Sequence, residues 1–165
     1  MFLKNYTSNV PVNETIHRIE KVLIKCGVSG IMKEYGSTAG DIIAVTFKIE
    51  TAKGPMTVRL PVDKNRCLEA LWLDYVGGDK LSTDGKTIND WNSRKKKIKA
   101  DFVDQAHRTA WKIVQDWVEV QLSMIQTQQA DFEEVFLPYL YDGRSTVYQR
   151  VVESGFRALL PERTE

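Results

Sequence analysis

From Ser93 to Gln129 the chain reads SRKKKIKADFVDQAHRTAWKIVQDWVEVQLSMIQTQQ, with neither glycine nor proline. At ~1.5 Å rise per residue a helix of this length would reach on the order of 50 Å, more than one face of a small domain covers. Other elements must therefore pack along it. Ile98, Phe102, Ala106, Ala110, Ile113, Trp117, Val120 and Met124 recur at helical spacing, and Val103, Val114, Val118, Leu122 and Ile125 widen the apolar stripe.

The charges on this stretch are segregated. Residues 93–112 carry seven Lys or Arg against two Asp, and residues 113–134 carry five acids and no Lys or Arg. The formal net charge of +1 conceals this dipolar arrangement. If the helix begins near Ser93, Arg94, Lys95, Lys96, Lys97 and Lys99 sit at the end where the macrodipole disfavours cations.

Length and composition place the chain among ordinary soluble domains: 165 residues, 42% hydrophobic and 27% charged, which excludes a disordered or low-complexity chain. A single domain is expected, with an optional subdivision into residues 10–76, a polar loop over 77–92 and a helical unit over 93–160. The opening residues MFLKNYTSNV lack a leader-type apolar run, and no stretch approaches the ~18 apolar residues of a membrane span. Cys26 and Cys67 have no CxxC spacing and no neighbouring His cluster, so they read as small core residues. A reducing cytoplasm and no membrane are expected.

Taken in order, VPVNETIHRIEKVLIKCG predicts a helix capped by Asn13, with Ile16, Ile19, Leu23 and Cys26 on one face and a stop at Gly27. The period then falls to 2. VSGIMKEY, DIIAVTFKIET and PMTVRLPV predict a three-stranded antiparallel meander, with a turn at Ala52, Lys53 and Gly54. Asp63 can cap a second helix bearing Cys67, Leu68, Leu71, Trp72 and Tyr75, ended by Gly77 and Gly78. After the long helix, FLPYLY forms an aromatic corner around Pro138, expected to fold back over that helix. Ser145 then opens a return helix, TVYQRVVESGFRALL, weakened midway by Gly155. The fold class is α+β: a three-stranded antiparallel sheet with flanking helices, plus a long helix and a C-terminal return helix.

No catalytic signature appears. There is no phosphate-loop spacing and no nucleophile elbow, so a binding protein without cofactor is expected rather than an enzyme. Asp101, Asp104 and His107 are spaced three apart on a helix face and make a weak metal-site candidate, because no second element supplies a partner ligand. The richer feature is the basic run with Trp91 before it and Arg108 and Lys112 beyond. Trp91, Arg94, Lys95, Lys96, Lys97, Lys99, Arg108 and Lys112 form a candidate surface for single-stranded nucleic acid or a nucleotide, since cations neutralise phosphates and an adjacent ring stacks on an unpaired base. Trp111, Trp117, Phe136, Tyr139 and Tyr141 form a candidate protein contact. Antiparallel pairing of two long helices would match opposite charges in a homodimer and bury Trp111 and Trp117 together.

Across GVSGIMKEY, VTFKIETAKGPMTVRLPV and RTAWKIVQDWVEVQLSMIQTQQADFEEVFLPYL the chain resembles a family of small uncharacterised proteins encoded by phages and other mobile elements. The resemblance implies an accessory protein in the bacterial cytoplasm that handles nucleic acid or engages a host protein. It assigns no residue a role.

Overall fold

The computed structural model describes residues 3–78 and 97–156. It is an α+β fold with α1 at Val12–Lys25, strands β1 (Val28–Tyr35), β2 (Ile42–Thr51) and β3 (Gly54–Arg59), and helices α2 (Lys64–Gly78), α3 (Val103–Gln126), α4 (Phe132–Phe136) and α5 (Val147–Ser154). Two compact units arise from it. One joins Met1–Arg18 to Val62–Trp117, the other Ile19–Pro61 to Val118–Glu165, so the division falls inside α1 and α3. The polar loop expected over 77–92 lies, beyond Gly78, outside the described residues. Among the described residues no helix is long and apolar enough to cross a membrane.

The second unit holds the sheet, antiparallel in the order β1-β2-β3. Its hairpin turn works because Gly54 adopts φ 110°, a region closed to most side chains, while Thr51 Oγ1 accepts the Lys53 N–H at 3.2 Å. As the central strand, β2 is buried at all four positions from Ala44 to Phe47, on both faces rather than the one face its alternation suggests. On one face Phe47 meets Phe136 edge-on at 5.7 Å and Phe132 at 6.5 Å.

On the other face Arg59 pairs across from Thr46, and Glu34 from Ala44, so their bidentate ion pair crosses β2 above those two small side chains. The Tyr141 ring lies 5.1 Å from the Arg59 guanidinium. The Arg59 hydrogen bonds hold the Glu34 carboxyl below the usual carboxylate range.

The aromatic corner folds back onto the edge of this sheet. Tyr141 N–H donates to Thr57 O at 2.8 Å and Leu140 bridges Val58, which covers the outer edge of β3 with backbone. The return helix α5 is shorter than its pattern suggests, because Gly155 takes φ 79° and ends it.

In the first unit Asp63 Oδ1 accepts the Arg66 N–H at 2.9 Å and starts α2 as expected. Cys67 and Leu71 pack against Ala106 and Ala110 of α3, with Leu3, Val62, Leu68 and Phe102 at the rim.

The long helix begins later than its composition suggests. Ile98 is extended (φ −102°, ψ 162°), and its N–H is accepted by Asp101 Oδ2 at 2.8 Å. A single 3-10 turn, Lys99–Phe102, leads into α3. Lys97 therefore precedes the helix and is not part of the first turn, where a macrodipole would oppose its charge.

Candidate nucleic-acid interface

Four of the predicted polyanion-binding residues, Trp91, Arg94, Lys95 and Lys96, lie outside the described residues. The other four fall into two different settings, both within the first unit.

Lys97 and Lys99 border an aromatic cluster. Trp72 and Tyr75, one turn apart on α2, have ring centroids 5.8 Å from each other, and Phe102 lies 6.2 Å from Trp72 and 5.1 Å from Tyr75. All three rings are half-buried. The Lys97 ammonium sits 5.5 Å from the Phe102 ring centre, and its backbone N–H donates to the Tyr75 hydroxyl at 3.3 Å. Lys99 is ion-paired with Glu69 of α2. A cation held over a partly open aromatic group is a combination that can engage both the phosphate and the base of a nucleotide.

Arg108 and Lys112 belong to a polar stripe. Gln105, Arg108, Thr109, Lys112 and Asp116 recur every three or four residues and share one side of α3. Residues 4–8 lie against that side. Arg108 Nε and Gln105 Nε2 both donate to Ser8 O, at 3.1 and 3.2 Å, and Thr109 Oγ1 donates to Asn5 O at 3.2 Å.

Asp116 collects the remaining contacts: Lys4 at 2.8 Å, Asn5 Nδ2 at 3.0 Å and Lys112 at 3.2 Å. Partial burial pushes its carboxyl upward, but hydrogen bonds from Lys4, Asn5 and Lys112 outweigh this and hold it down at about 2.

Two of the three weak metal candidates have other partners. Asp101 caps the 3-10 turn, and His107 Nε2 accepts the Trp111 indole N–H at 3.2 Å. Asp104 and His107 line a shallow depression of about 230 Å3 with Asn9, Pro11, Val12 and Arg108. Among the described residues no three His, Cys, Asp or Glu side chains converge as a metal-binding group.

Of the predicted protein-contact residues, Trp111 and Phe136 are fully buried within the chain and offer no surface to a partner. This removes Trp111 from the helix-to-helix homodimer contact. Trp117, Tyr139 and Tyr141 are half-buried.

Helical spacing places Trp72, Tyr75 and Phe102 in apolar stripes and marks them as core, not as part of a site. Sequence reasoning passed over Gln105, Thr109 and Asp116, although their spacing with Arg108 and Lys112 was a visible signal of a polar helix face. Comparison of the chain with protein-family models, curated proteins and solved structures finds no match.

Proposed function

We propose that the protein is a non-enzymatic accessory protein that binds a polyanion, single-stranded nucleic acid or a nucleotide, through the basic stretch Arg94–Lys99 and the aromatic cluster beside Lys97. The observation that carries this reading is the Lys97 ammonium over Phe102, grouped with the half-buried Trp72 and Tyr75. Lysines supply sequence-independent attraction to phosphates, and flat rings favour unpaired bases over a stacked duplex. The resemblance to phage-encoded proteins supports a setting in the bacterial cytoplasm.

Retention of a labelled oligothymidylate at low salt tests the proposal. Reversing Lys95, Lys96 and Lys97 to Glu should abolish retention. Unchanged retention in that variant, or none by the native protein, removes the reading.

A second reading, a module that docks on a host protein, is favoured by α5. Tyr148 and Val152, one turn apart on α5, are 56% and 47% exposed, Phe156 beyond the end of the helix is 55% exposed, and Leu137 is 51% exposed. Replacing Tyr148 and Val152 by Ser should eliminate a specific host partner from cross-linked complexes. The same captured proteins with and without these substitutions would end this second reading.

A further inference from the structure

The stripe on α3 is built from groups that seek acceptors. Arg108, Lys112, Gln105 and Thr109 span about two helical turns, ~10 Å along the axis. What they hold at present is a segment of the same chain. Uncharged carbonyl oxygens of Asn5 and Ser8 take the donors of Thr109, Gln105 and Arg108, and Lys112 is turned onto Asp116 and onto Gln115 Oε1 at 3.1 Å. Thr109 and Gln115 are 0% and 4% exposed, although a helix face serving only to pack would carry apolar side chains there.

The segment itself is held mainly by polar contacts. Leu3 reaches the apolar cluster, whereas Lys4 and Asn5 converge on Asp116, and Asn5 adopts the left-handed φ of 63°. One carboxylate thus fastens two residues of the segment and one cation of the stripe.

We infer that residues 4–8 form an autoinhibitory strap, covering a second phosphate-binding strip on α3 whose cations are Arg108 and Lys112. The inference rests on the polyanion reading above. A phosphate oxygen carries charge that a backbone carbonyl lacks, so it is the stronger acceptor for Arg108 and Lys112. Binding there requires the strap to leave, and the apparent affinity is reduced by the fraction of molecules in which it has left. The carboxylate of Asp116 is ionised throughout the physiological range, so a competing polyanion, and not a proton, opens the strap.

Lys4→Ala with Asn5→Ala loosens the strap and leaves every donor on α3 intact. Amide hydrogen exchange over residues 4–10 reports release, and anisotropy of a labelled oligothymidylate reports binding. The variant should exchange faster in this segment and bind about tenfold tighter, and adding Lys112→Glu should cancel the gain. Faster exchange with unchanged affinity overturns the strap and leaves the polyanion reading in place.

Should the double variant keep its strap closed, the native protein decides: saturating oligothymidylate must speed exchange over residues 4–10, and unaltered protection in the complex overturns the inference. Absence of oligothymidylate binding by every form overturns the polyanion reading, and the strap's inhibitory role with it.

Discussion

Arg108 Nε lies 3.1 Å from the carbonyl oxygen of Ser8, one hundred residues earlier in the chain. With the Gln105 bond to the same oxygen, it makes a backbone carbonyl the anchor for a segment that forms a turn, closed by the Ser8 N–H on Asn5 O at 3.0 Å, but no helix or strand. A cation whose spacing suggested ligand binding is thereby engaged within the fold, and so is Lys112 beside it.

Asp116 is the clearest test of that network. Its folded carboxyl titrates at about 2, below the ordinary carboxylate range, so its contribution is present above that range and is lost as pH falls toward 2. Asp116→Ala should cost about 1 kcal/mol at neutral pH, after allowing for solvent screening of a partly exposed group. The gap from the native protein should close in urea unfolding near pH 2. A gap independent of pH would show that packing, not charge, accounts for the loss.

Phe136 is fully buried and packs edge-on against Phe47. Phe136→Ala should destabilise the protein by about 3–5 kcal/mol, as lost transfer energy adds to the cavity left behind. Tyr148→Ser, at an exposed position on α5, should change stability by less than about 0.5 kcal/mol. Thermal unfolding that ranks the two variants in the opposite order would contradict the assigned core.

Thr146 caps α5: its Oγ1 accepts the Gln149 N–H at 3.2 Å, and Gln149 Oε1 accepts the Thr146 N–H at 2.8 Å. Because α5 has only eight residues, Thr146→Ala should cost about 1 kcal/mol locally and accelerate amide exchange across Val147–Ser154. Unchanged exchange there would mean that the capping pair does not hold the helix.

Arg59 and Glu34 cross β2 as a bidentate pair of intermediate exposure. A double-mutant cycle with Arg59→Lys and Glu34→Gln should give a coupling of about 1 kcal/mol, because an ammonium cannot reproduce the two-pronged geometry or the contact with Tyr141. Zero coupling would make the pair a surface coincidence.

Much of the fold was legible because its signals are local. The alternation in β1, β2 and β3, Gly54 at the hairpin and Asp63 before α2 each dictate structure through their immediate neighbours. The start of the long helix was misread for a reason also visible locally. Asp101, three residues after Ile98, satisfies the Ile98 N–H as a helix-capping carboxylate does, whereas counting charges and apolar positions alone extended the helix back to Ser93.

The candidate site was less legible, since its partners come from far away in sequence. Nothing near Arg108 or Lys112 announces that Asn5 and Ser8 lie beside them. Nothing near Trp72 indicates that Phe102 and Lys97 complete an aromatic cluster. The aromatic corner was recognised as a fold-back, but its landing place on β3 depends on an unpaired strand edge that spacing within the corner does not reveal.

The most direct test of polyanion binding is the salt dependence of oligothymidylate affinity for the native protein and for Lys97→Glu. Single strands give a slope of about −0.7 in log affinity against log salt for each phosphate neutralised. The native protein should show a slope of about −2 or steeper, and Lys97→Glu should be shallower by about 0.7. A flat native slope, or one that Lys97→Glu leaves unchanged, would contradict a phosphate-binding role for the basic stretch.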